Sequence, residues 1–166
     1  STHSSNFISL KHYKSICIIR NSDNGSRAFQ FKGKLFSGDE VKYFNMNLDK
    51  PDRSELFFAK KVILVEGQTD KIVLGYLSKK LGIFKYDYSI LECGSKSIIP
   101  QFIKLLNAFK LPYIAIYDKD NHFWRTELEI EIQTKKSLHS KEYQYDFGDF
   151  VEFDNDIEEE LYSEKR

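Results

Sequence analysis

Between Lys61 and Asp120 the chain alternates short aliphatic runs with longer stretches at helical spacing, and this order limits the fold more than any other feature. The run "KVILVEG" reads as a buried strand that ends on Glu66. The residues from Thr69 to Leu81 follow as a helix, with Ile72, Val73, Tyr76, Leu77 and Lys80 at amphipathic spacing and Thr69 as its N-cap. "YSILECG" is the next strand. Lys96 to Phe109 is the next helix, with Ile98, Ile99, Phe102, Ile103, Leu106 and Phe109 on its inner face. "PYIAIYDKD" is a third strand, "DFGDFVEF" reads as a fourth, and "DIEEELYSEK" as a closing helix. Strand-helix-strand-helix-strand order predicts a parallel α/β sheet flanked by helices, joined by right-handed crossovers. The stretch from Asn121 to Tyr145 is charged and fits neither period cleanly.

The sequence ahead of this unit has a different texture. Up to about Arg53 it carries short β-type runs, "SICIIR" and "AFQFKG", separated by "SDNGS", in which Asn24-Gly25 is a hairpin signal. A polar, turn-rich stretch from Ser37 to Ser54 reads as a linker. The expected organisation is a small β-rich segment over residues 1–53 and an α/β domain over 54–166. The strand edges of the first segment also offer a surface for a second copy of the chain.

Composition narrows the function less than the pattern does. Lys plus Arg equals Asp plus Glu, 25 each, so any basic surface for nucleic acid has to be local. Both cysteines, Cys17 and Cys93, lie in apolar strand-like runs and read as reduced core residues, which fits a cytoplasmic protein. No apolar run approaches the roughly 20 residues of a membrane helix, and no signal peptide is visible. The chain opens Ser1-Thr2-His3-Ser4 without Met, and its end from Glu158 to Arg166 stops within a charged helical pattern, so the expectation is a piece of a larger protein.

Sites in parallel α/β sheets form at the carboxyl ends of the strands. Glu66 ends the first strand, "ECGSK" the second, and Asp118 and Asp120 the third, where strand alternation puts both on one face. Asp70, one turn into the first helix, can point back at the same rim. Carboxylates brought this close repel and raise one another's pKa. A divalent cation resolves the conflict, and Mg²⁺ prefers oxygen ligands completed by water and substrate phosphate. A pair of such ions activates water and stabilises the leaving oxygen of a phosphodiester. Gly67, with no side chain beside Glu66, leaves room for phosphate or metal. Taken singly these signals are weak: Glu-Gly is turn chemistry, Asp pairs are common on surfaces, and Asp70 also suits a helix N-terminus.

The combination "VILVEGQTDKIVL…ECGSK…YIAIYDKD" resembles the Toprim domain of topoisomerases, primases and related nucleases, which carries a Glu at the end of its first strand and Asp-x-Asp at the end of its third. Glu66, Asp118 and Asp120 match those positions. The longer text "LFFAKKVILVEGQTDKIVL", with its acid at Asp70, is most similar to the OLD (overcoming lysogenization defect) nucleases, a group that includes Gabija-type antiphage nucleases. The resemblance implies a Rossmann-like Toprim fold and a DNA endonuclease using one or two Mg²⁺ or Mn²⁺ ions. It implies Glu66 and Asp70 on one metal side and Asp118 and Asp120 on the other. It further implies an ATPase domain of the same protein ahead of the nuclease, with "STHSSNFI" resembling the His-switch segment of an ABC-type ATPase and His3 its switch histidine. A helicase-type partner and a homo-oligomer are also implied. Family members carry a further acid downstream. Glu158 is the choice here, with Asp149, Glu152 and Glu159 as rivals, and the family's downstream basic residue has no match. Where many relatives have a glycine pair this chain has Gly94-Ser95. Two other readings stay open: a primase-like nucleotidyl transferase, and a degenerate Toprim acting as an interaction module.

The remaining residues have plainer readings. Lys96 reads first as a solvated lysine at a helix start and second as a phosphate contact. Ser95 and Ser97 read as helix caps, and Tyr117 as core. His122 and His139 read as surface residues, and Phe123 and Trp124 as packing rather than base-stacking groups.

Overall fold

The computed structural model describes residues 1–2, 4–5, 8–22, 25–38, 41, 51–118 and 148–153. The N-terminal hairpin forms as the turn signal predicts. β1 (Cys17–Ser22) pairs antiparallel with β2 (Gly25–Gln30), Ser22 facing Gly25 across a two-residue connection. Gly25 sits at φ +97, a conformation that a side chain at this position would oppose.

The main sheet contains β3 (Lys61–Val65), β4 (Tyr88–Glu92), β5 (Tyr113–Asp118) and β6 (Gly148–Phe153). Its spatial order is β4-β3-β5-β6, with all neighbours parallel. α1 (Gln68–Lys80) links β3 to β4, and α2 (Ile99–Ala108) links β4 to β5. The α/β architecture expected from the alternating pattern is therefore the one observed, and the "DFGDFVEF" stretch supplies its edge strand.

The two faces of the sheet are covered unequally. Along β5 burial alternates, with Tyr113, Ala115 and Tyr117 buried and Ile114, Ile116 and Asp118 half-buried. The first set joins Val62, Leu64 and Leu91 in a core packed with Ile98, Ile99, Phe102, Ile103, Leu105, Leu106 and Phe109. The inner face read for the second helix is thus the observed one, although its first turn, Lys96–Ile98, is 3-10 and the α-helix starts at Ile99. α1 departs from the expectation. It buries none of its residues fully, and Ile72 and Tyr76, two of the positions at amphipathic spacing, are 61% and 62% exposed.

The N-terminal segment shares this core. Tyr13, Ile18 and Phe36 belong to the same cluster as α2, together with Leu56 and Phe57 from a 3-10 stretch over Pro51–Phe57. Arg20 donates to the Ala59 carbonyl at 3.1 Å, and the Ser54 hydroxyl to the Ile8 carbonyl at 2.8 Å. Arg53 and Ser54, where the linker was read to end, are buried. Both cysteines are free, as expected, but Cys17 is exposed rather than in the core, because its place on the two-stranded hairpin leaves it uncovered. Among the described residues no helix is long and apolar enough to cross a membrane.

Candidate metal and phosphate site

β3 and β4 end side by side, and the chain keeps bonding past the last formal pair. The Cys93 amide donates to the Val65 carbonyl and the Gly94 amide to the Glu66 carbonyl, both at 2.9 Å. Glu66 is thereby held at the carboxyl edge of the sheet, half-buried between α1 and the end of β5. Its Oε1 accepts the main-chain N–H of Asp118 at 3.0 Å. The bond joins residues 52 positions apart, through the main chain of Asp118 rather than its carboxylate.

Asp70 lies on the same rim and is turned toward its own helix start. Its Oδ2 accepts the Gly67 N–H at 2.9 Å. The helix begins at Gln68 with Gly67 as its N-cap, so Thr69 is not the cap. Glycine has no side chain to satisfy the first amides, and the carboxylate three residues on does part of that work. A carboxylate has about four acceptor positions, so this bond leaves Asp70 capacity for a second partner. A Cβ built on Gly67 would meet only the Asp70 Oδ2, at 3.7 Å, so the backbone beside Glu66 is open to a ligand.

The turn after β4 is more constrained. Gly94 adopts φ +91 and swings the chain toward the site. Arg53 reaches this turn from below, donating to the Cys93 carbonyl at 3.3 Å and standing 4.0 Å from the Glu92 carboxylate, with its guanidinium 5.7 Å from the Phe102 ring centre. Burial pushes the Cys93 thiol well above its usual range, with Glu92 and Glu66 adding to the effect and Arg53 opposing it. Ser95 and Ser97 do not cap the helix through their side chains. Their hydroxyls bond each other at 2.8 Å.

Lys96 corrects the reading from sequence most clearly. It is 5% exposed, not solvated. Its Nζ donates to the Asp118 carbonyl oxygen and lies 5.3 Å from the Tyr117 ring centre. Tyr117 is buried on the face opposite Asp118, as expected. Sequence reasoning favoured solvent because a lysine after Gly-Ser at a helix start usually finds it. The missed signal was that its reach ends at the same rim as the acids. Arg53 gave no signal, since it sits in a polar stretch.

The structure therefore brings together Glu66, Asp118 and Lys96, while Asp70 bonds the Gly67 amide at the helix start and does not join Glu66 and Asp118 in a ready metal-holding group. Asp120 and Glu158 lie outside the described residues, as do Glu159, His3, His122, His139, Phe123 and Trp124. Among the described residues no group of three or more His, Cys, Asp or Glu side chains stands ready to hold a metal. The donors that are described are carboxylates, and they fit a hard divalent cation in kind. A cleft of about 270 Å³, lined by Ser5, Glu55, Phe58, Ala59, Tyr86, Asp87, Tyr88 and Ser89, opens near the amino ends of β3 and β4 instead, away from the carboxyl edge.

The family described as "Overcoming lysogenization defect protein-like, TOPRIM domain" matches residues 57–120, a span that takes in Glu66, Asp70, Gly94, Lys96, Asp118 and Asp120. Over residues 57–120 the chain is therefore similar to the Toprim domain of OLD-like proteins. The chain is also similar to an OLD nuclease of Thermus scotoductus (strain ATCC 700910 / SA-01), 26% identical over 86 residues. That match covers 51% of this chain and 16% of the relative, so the chain corresponds to a small part of that protein. The Glu and the first Asp of the Asp-x-Asp that carry the Toprim resemblance are the two residues linked by the 3.0 Å bond.

Proposed function

We propose that this chain is the nuclease part of an OLD-type ATPase-nuclease that hydrolyses phosphodiester bonds in DNA with Mg²⁺ or Mn²⁺. The observation that carries this reading is the direct link between Glu66 and Asp118 at the carboxyl edge of the sheet, within the Toprim match. Glu66, Asp70 and Asp118 would hold the ion or ions, with Asp120 and Glu158 completing the set. A bound divalent ion lowers the pKa of water and offsets charge on the phosphate oxygens. The chain's own residues then have defined tasks. Glu66 accepts a proton or orients water at the strand end. Gly67 admits the phosphate. The buried Tyr117 and the core beneath it keep the acids on a rigid edge. Coupling to an ATPase and a role in antiphage defence extend this reading by family likeness, which fixes function less firmly than a site does.

Titration of Mn²⁺ into the full chain, with a short DNA duplex present, tests the proposal beside Asp118→Asn. The expected result is binding that the substitution weakens by about tenfold or more, together with metal-dependent cleavage lost in the same variant. Absence of Mn²⁺ binding in both proteins would overturn it in favour of a non-catalytic interaction module. Nucleotide incorporation in place of cleavage would favour the primase-like reading.

A further inference from the structure

β5 is longer than the neighbour that should support it. Its pairing with β3 runs from Val62↔Tyr113 to Leu64↔Ala115, and β3 ends at Val65. β5 continues to Asp118, still paired with β6 through Asp118↔Phe153. Its last residues therefore overhang β3, which has already turned into α1. Main-chain N–H and C=O groups on such an overhang need other partners. In an extended strand both groups of one residue leave by the same edge. At Asp118 both are taken by side chains: the N–H by Glu66 Oε1 at 3.0 Å, and the carbonyl oxygen by Lys96 Nζ.

We infer that Lys96 is a positioning residue for the acidic site, which with Glu66 substitutes for the missing β3 edge and fixes the peptide that aims Asp118. A buried ammonium is tolerated only when it is paired, and Lys96 is almost fully buried beside the Tyr117 ring with its donor on the Asp118 carbonyl. Its approach is set by the positive φ of Gly94, which turns the chain after β4 back toward the rim. Ligand carboxylates have to be held within about 0.5 Å of working geometry, and the Asp118 carboxylate inherits its place from this peptide. Lys96 acts through Asp118 and touches neither substrate nor metal in this role. The consequence for catalysis rests on the nuclease reading; the geometry does not.

The test uses the full chain carrying Lys96→Met, Lys96→Arg or Lys96→Gln, with three readouts. Amide hydrogen exchange at Asp118 without metal should speed up by about tenfold or more in Lys96→Met, because the overhang loses its tie to Lys96. Mn²⁺ affinity should fall by about 10- to 100-fold. Cleavage should lose kcat by about 100-fold with KM for DNA little changed. Lys96→Arg, which keeps a charged donor, should restore part of each. Wild-type Mn²⁺ affinity and kcat in Lys96→Met, even with faster exchange, would overturn the inference and leave Lys96 a fold residue. A rise in KM alone would also overturn it and make Lys96 a DNA contact. Should Lys96→Met fail to fold, Lys96→Gln carries the test, since its shorter amide cannot reach the Asp118 carbonyl and should show the same losses; wild-type values there would overturn the inference. If the wild-type chain neither binds Mn²⁺ nor cuts DNA, the functional reading fails, while Asp118 exchange still decides whether Lys96 holds the strand end.

Discussion

Asp70 shows how one carboxylate carries both a structural and a chemical reading. Its Oδ2 bond to the Gly67 amide is ordinary helix-start chemistry. It also stands on the rim that Glu66 and Asp118 share. The two roles separate on substitution, because Asn keeps an oxygen acceptor for the amide while removing the charge, and Ala removes both. Asp70→Ala should lower stability by about 1 kcal/mol, and Asp70→Asn by much less. Both should weaken Mn²⁺ binding by about tenfold or more if the charge holds metal. Thermal melting beside Mn²⁺ titration checks this. A stability loss in Ala with unchanged Mn²⁺ affinity in both variants would leave Asp70 a cap and nothing more. The same care applies to Lys96, whose type and position suggested solvent while its burial and bond to Asp118 tie it to the acids.

At the scale of elements, the two helices of the α/β unit differ in what they contribute. Phe102 of α2 is fully buried in the core cluster, and Phe102→Ala should cost about 3–5 kcal/mol. Ile72 of α1 is mostly exposed, and Ile72→Ala should stay within about 0.5 kcal/mol of wild type. Urea denaturation of the two variants measures the contrast, and equal losses would mean that α1 packs as tightly as its spacing suggested. This contrast marks the limit of what the chain's text reveals. The strands were legible because aliphatic runs of five or six residues ending in turn residues have few other folds available. The inner face of α2 was legible because its apolar positions are buried in the core cluster that the sheet shares. The α1 face was misread because periodicity reports which residues share a side of a helix and says nothing about whether that side is covered. Glu66 and Asp118 were legible as strand ends. Arg53 was not, because its value depends on a turn 40 residues away.

For the whole molecule, the question is whether residues 1–53 are an appendage or part of the domain. Their composition reads as a separate β-rich piece with a linker. The contacts argue for integration. Tyr13, Ile18 and Phe36 are buried in the cluster that holds α2, the Tyr13 hydroxyl accepts the Leu35 amide at 3.1 Å, and Arg53 pins the turn that carries Gly94 and Lys96. Burying three such side chains is worth about 1.5–3 kcal/mol each, against a total stability of about 5–15 kcal/mol for a typical domain. A chain beginning at Ser54 should therefore lose most of its cooperative unfolding transition, with a much lower urea midpoint. It should also lose Mn²⁺ binding, since the turn bearing Lys96 would lack its support from Arg53. Arg53→Met in the full chain separates the two effects: it keeps the core and removes the tie to Cys93, so metal binding should weaken more than the urea midpoint falls. An unchanged midpoint in the shortened chain would show that the Toprim unit folds alone and that the N-terminal segment only rests against it.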